Sequence, residues 1–262
     1  MTEKKYELTD ETIVVDDRVL HRIRALKDFY PFKAGDLGGF IETEDNLSHE
    51  GSCWVYDNAK VYGNAQVYDN ATVFGYAKVY DNAKVYGWAR VCDDASVYGC
   101  ARVNGDAYIF GNAQVYDRAE VYGWAGVYGY AKVYDNAKVY GWARVYDEAK
   151  IYGCARVYDE AKVYEEAQVY DYAKIYEEAR VCNEAEIYGD AEVYGCARVY
   201  DRALVYDHAK VHYQARVSDY ARVFDCAEVC GDARVLYESR VFHRMKVTGV
   251  LAERIPLEPD GE

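Results

Sequence analysis

The chain of 262 residues has three prolines, two methionines and seven phenylalanines. No apolar run approaches the roughly 20 residues that cross a bilayer, so no transmembrane helix and no membrane partner are expected. Eight cysteines are scattered without a CxxC pair. Their spacing argues against a zinc site and against a small disulfide framework, and it fits a reducing compartment. The opening MTEKKYELTDETIVV lacks an apolar stretch and a small-residue cleavage site, so no signal peptide and a cytoplasmic location are expected. A dominant charge along the length is also missing. Residues 1–50 hold seven basic and twelve acidic side chains, residues 251–262 one and four, and the long middle 23 and 29. The net charge of −14 therefore sits disproportionately at the ends. A rod that gripped or mimicked DNA would show one sign throughout, so no nucleic-acid partner is expected.

What the chain does have is thirty tyrosines in a repeat. The stretch VYDNAKVYGNAQVYDNATVFGYAK at 55–78 is four copies of one hexad. Val or Ile stands at position 55 and every sixth position to Val247, giving 33 hexads without insertion. Ala stands at 59 and every sixth position to Ala233. In an extended chain Ala and Val share one face, and Tyr shares the other with the Lys, Arg, Gln or Glu that precedes Val. The core is therefore Val plus Ala, and tyrosine points outward.

The residue after tyrosine is Gly in 14 hexads and Asp in 13. These types tolerate positive φ best, which marks a sharp corner every six residues. Short strands joined by regular corners wind into a β-solenoid whose coils pair at about 4.8 Å. Sorting by 18 residues gives an unbroken aromatic column, Tyr62, Tyr80, Tyr98, Tyr116, Tyr134, Tyr152, Tyr170, Tyr188, Tyr206, Phe224 and Phe242. The same sorting collects Phe74, Cys92, Phe110 and Cys182 in another column and Trp88, Trp124 and Trp142 on one corner. The expected fold is all-β: a single-stranded, three-sided parallel β-helix of about 11 coils, roughly 50 Å long. Residues 51–250 form the helix, 1–50 a small N-terminal β cap, and 251–262 a C-terminal tail.

The V-Y-G-N-A-K pattern resembles the hexapeptide repeat of left-handed parallel β-helix proteins, although Tyr after the aliphatic residue departs from it. The V-Y-G-x-A-R segments, following GDLGGFIETEDNLSHEGSCWVYDNA at 35–59, more closely resemble the bacterial YdcK-like hexapeptide-repeat group. Left-handed winding and an acyltransferase-like fold are what this resemblance implies.

In the cap, YELT, IVV and VLHRIRAL read as short strands with a turn at Asp16–Asp17. A cap of this kind covers backbone groups that would otherwise invite end-to-end stacking. Pro256 and Pro259 are expected to stop pairing at the other end.

Two function classes compete. The first is a non-catalytic scaffold. Its outward ladder, from Tyr62, Tyr80 and Tyr98 through Tyr116, Tyr134 and Tyr152 to Tyr170, Tyr188 and Tyr206, stiffens the rod and mediates self-association or binding of an unidentified protein. The rings are expected to pack face to edge, with Lys and Arg lying across them. The second is an acyl-coenzyme A-dependent acyltransferase, with acetyl-coenzyme A as its cofactor and His208 or His212 as candidate base. The absence of any loop excursion from Val55 to Val247 favours the scaffold, which needs no cofactor. The plain reading of the histidines is solvated surface. One corner stacks Asp147 and Glu148 beneath Glu165 and Glu166 and then Glu184, and Asp159/Glu160 beneath Glu177/Glu178 line the next. Such columns fan into water, borrow nearby cations, or hold a hard cation such as calcium. The solvated reading is preferred. The cysteines are expected to be reduced thiols without a catalytic partner.

Overall fold

The structure, a computed structural model, describes residues 3–253. Nearly every hexad supplies one two-residue strand whose second member is the buried aliphatic, as in Lys60–Val61, Gln66–Val67 and Thr72–Val73. From Trp54–Val55 to Glu228–Val229 each strand pairs in parallel with the strand 18 residues later: Val61 with Val79, Val67 with Val85, Val73 with Val91. Three sheets result, of 14, 12 and 11 strands. The first two strands of the largest belong to the cap, so each side carries eleven or twelve parallel rungs. The period of 18 and the three-sided architecture are as expected.

The interior is filled by the two small aliphatic types. Ala137 and Val139 are fully buried, as are nearly all their counterparts along the rod. Residues this small suit a prism whose three walls lie close together, and large side chains would force the walls apart. The backbone ladder runs the full length: the Lys60 N–H donates to the Ala77 carbonyl at 2.9 Å, and the Tyr62 N–H to Val79 at 3.1 Å.

The corners explain the choice between Gly and Asp. Corner residues lie in the left-handed region, Gly63 at φ 68° and Asp57 at φ 57°. Asp has a second use there. Its carboxylate accepts a hydrogen bond from the corner N–H of the next coil, Asp57 from Gly75 at 3.2 Å and Asp135 from Gly153 at 3.1 Å. That N–H faces out of the regular ladder, and an acceptor on the coil beneath satisfies it.

The cap is a hairpin of β1 (Tyr6–Val15) and β2 (Arg18–Ala25), turned by Asp16 and Asp17 at φ 48° and 61°. YELT and IVV, read separately in the sequence, form one strand interrupted by a register shift between Leu8 and Thr12. Strand β3 (Leu37–Ile41) pairs antiparallel with β2 and parallel with the strand Lys60–Val61, Ile41 against Val61. Leu47 bridges in parallel to Val67, so solenoid rungs begin inside the cap segment. Trp54 is fully buried against Tyr6, Phe29 and Phe32 and plugs this end. At the other end Val250–Glu253 pairs in parallel with Arg234–Tyr237. Pro256 and Pro259 lie outside the described residues. Among the described residues no helix is long and apolar enough to cross a membrane.

Candidate functional site

Tyrosine side chains one coil apart carry the same rotamer in the same frame, so their rings repeat by simple translation. From Tyr62 to Tyr206 every consecutive pair is stacked, with centroids 4.8 to 5.1 Å apart and planes within 8° of parallel. Phe224 and Phe242 extend the stack to eleven rings. This corrects the expectation of face-to-edge packing. An edge-on ring needs alternating rotamers, which identical coils do not provide. It also corrects the expected Lys and Arg lying across the rings. The ring faces are occupied by neighbouring rings, and among the described residues the one repeat tyrosine with a cation over its face is Tyr220, under Arg202 at a corner.

The ladder tyrosines sit outside the Val and Ala core, but most are half-buried by each other. Burial, and then the neighbouring tyrosines, push the Tyr116 and Tyr152 hydroxyls up to about 12. Tyr62 is 4% exposed: Leu20 and Phe40 of the cap pack on it, and its hydroxyl donates to Asp16 at 3.1 Å. The open aromatic surface is elsewhere. Trp88, Trp124 and Trp142, on one corner, are 62%, 55% and 57% exposed, and the last two stack at 5.0 Å.

The other two ladders are interrupted. On the Tyr56 side Cys92 and Cys182 break the stack, and on the Tyr68 side Asn104 does. The Tyr68 side ends in a different chemistry. Tyr194 stacks on His212 at 4.7 Å, and the position above His212 is Cys230. His212 is 8% exposed, so the expectation of a solvated histidine is overturned: it occupies a ladder position and is walled by Tyr194 and Tyr213. Its Nε2 lies 2.9 Å from Glu228 Oε1. Glu228 and Cys230 flank Val229 on the same outward face, and ligand atoms of His212, Glu228 and Cys230 all lie within 4.8 Å of one another. Lys246 donates to Glu228 at 2.7 Å; with His212 it holds that carboxyl far below the usual range, at about 2. Burial pushes the Cys230 thiol up. The sequence reading of the cysteines, as reduced thiols without a catalytic partner, did not bring these three residues together. In an 18-residue coil the outward neighbours of position i include i+16 and i+18, and that spacing is its signal.

His208 is apart from this group: it is exposed, with Nδ1 3.5 Å from Asp190. His243 likewise faces Asp225 at 3.1 Å. The acidic corner is used internally. Asp147 accepts from the Glu165 N–H at 3.4 Å, Glu165 from the Asn183 N–H at 2.8 Å, and Glu184 accepts from Arg202 Nε and Nη2, each at 3.0 Å. Among the described residues Asp147, Glu148, Glu165, Glu166 and Glu184 do not gather three ligand atoms at one point. All eight cysteines are free thiols.

The family model described as YdcK beta solenoid repeat matches residues 65–81. Over 39 residues the chain is 46% identical to a protein of Escherichia coli (strain K12) named "Uncharacterized acetyltransferase YdcK". That match spans 15% of this chain and 12% of the relative.

Proposed function

We propose that this β-solenoid, which carries the YdcK-type repeat, is a non-catalytic rod that associates with a second copy of itself along an aromatic edge. The eleven-ring stack carries the reading. It is continuous from cap to C-terminal coils, and from Val55 to Val247 no loop leaves the coil to wall an acceptor pocket. Half-buried rings stiffen the rod, and the exposed tryptophan edge supplies apolar contact area. Left-handed winding, implied by the repeat's resemblance, is part of this proposal.

Light scattering on the whole chain tests it. The expected mass is a multiple of 29.9 kDa, falling to the monomer in Trp124→Ser/Trp142→Ser while circular dichroism stays unchanged. Replacing Tyr116, Tyr134 and Tyr152 by Ser tests the ladder in the same way. A chain that stays monomeric at high concentration sinks the self-association.

The second reading, an acetyl-coenzyme A-dependent transferase, is favoured by the name of the Escherichia coli relative alone. His208 is the more accessible candidate base, since His212 Nε2 is already engaged by Glu228. Acetyl-coenzyme A binding that is lost in His208→Ala would replace the scaffold reading.

A further inference from the structure

We propose that His212, Glu228 and Cys230 form a binding site for a divalent transition-metal ion of the zinc class, with Lys246 as an internal cation that the metal displaces. Three different donor types converge: an imidazole nitrogen, a carboxylate oxygen and a thiol sulfur, all within 4.8 Å of one another. A mixed nitrogen, oxygen and sulfur set suits zinc or cobalt(II) and suits calcium or magnesium poorly. Zinc takes nitrogen and oxygen at about 2.0–2.2 Å and sulfur at about 2.3 Å, so modest side-chain rotation closes the three onto one ion, and water completes a tetrahedron.

The arrangement is preorganised at its least adjustable member. The His212 ring is held between Tyr194 at 4.7 Å and Tyr213 at 4.8 Å, with Nε2 already directed at the Glu228 carboxylate. His212 and Cys230 are both nearly buried, whereas Glu228 retains room to move. A positive charge is already favoured there, since the Lys246 ammonium lies 2.7 Å from Glu228 Oε1 on an exposed, flexible arm. Removing that arm leaves the anionic pocket without its counter-ion.

The three ligands come from two successive coils, 212 on one and 228 and 230 on the next, whose strands pair Val211 with Val229. A bound ion would therefore tie together rungs near the C-terminal end, where the repeat gives way at Ser239 and Met245. Binding to the folded chain alone stabilises it in proportion to the logarithm of ion concentration over Kd.

The test is titration of the whole chain with cobalt(II), followed by competition with zinc(II). The expected result is one ion per chain, a near-ultraviolet thiolate-to-cobalt charge-transfer band, and bleaching by zinc. Cys230→Ser should abolish the band, and His212→Gln should weaken affinity at least about tenfold. Lys246→Met, at an exposed position that should fold normally, should bind more tightly. A missing band in the native chain, a band that survives Cys230→Ser, or weaker binding by Lys246→Met would each overturn the site.

Discussion

Tyr116 and Tyr134 lie one coil apart with ring centroids 4.9 Å from each other and planes 2° from parallel. Each is also stacked on its far side, on Tyr98 and on Tyr152. Tyr134→Ala therefore removes two ring contacts. The expected loss is about 1–3 kcal/mol, at 0.5–1.5 per aromatic pair. Tyr134→Phe keeps both and should change little, as Phe224 already stands in the same column. Thermal unfolding of the two variants checks this; equal losses would mean that the hydroxyl, and not stacking, stabilises the ladder.

The corner argument makes a sharper prediction at Gly141. A Cβ there would lie 2.8 Å from the Asp159 backbone nitrogen, with φ at 71°. Ala at this position carries the steric and left-handed cost, about 1–2 kcal/mol. Asp carries the same Cβ but adds an acceptor for the Asp159 N–H, as Asp207 does for Asp225 at 3.2 Å. Gly141→Asp should therefore be markedly less destabilising than Gly141→Ala in chemical denaturation. Equal midpoints would remove the acceptor role assigned to corner aspartates.

Alkaline stability follows from the raised hydroxyls. Burial pushes the Tyr116 and Tyr152 hydroxyls up to about 12 in the fold, against about 10 in an unfolded chain. The unfolded state thus releases its protons first. The associated stability is fully present below about pH 10 and is lost as pH rises toward 12. A spectrophotometric tyrosine titration should show these phenols ionising late, together with loss of the β signal. Ladder phenols that ionise near pH 10 without unfolding would contradict it.

The hairpin of β1 and β2 covers the outer edge of β3. Deleting residues 1–26 should leave that edge unpaired and able to add a strand from another chain. Elongated assemblies are expected by light scattering and electron microscopy, in contrast to the full chain. A truncated chain that remains as small as its parent would show that the hairpin does not guard the end.

Much of the fold was legible because solenoid geometry maps directly onto spacing. The Val55 and Ala59 series declare the interior, Gly63 and Asp57 the corners, and the column from Tyr62 to Phe242 the 18-residue turn. Ring orientation was not legible, since period says which residues meet and rotamer decides how. The His212 cluster was hidden for a related reason. Cys230 and Glu228 are near His212 only through the coil, at separations that resemble no local metal motif. Tyr62 illustrates the cap's contribution: its sequence context matches that of Tyr116, yet Leu20, Phe40 and Asp16 bury it.

The 18-residue register also determines how such a chain can change length. Deleting residues 127–144, one whole coil, would shorten the rod by about 4.8 Å while every remaining side chain kept its neighbours in kind. Deleting six residues would leave each hexad intact but turn everything downstream through one side of the prism. The Tyr62 column would then continue into the side that ends in Cys230, and its eleven-ring continuity would be lost. Whole coils are thus the natural currency of insertion and loss in this molecule, and the single hexad, though it is the visible sequence repeat, is not.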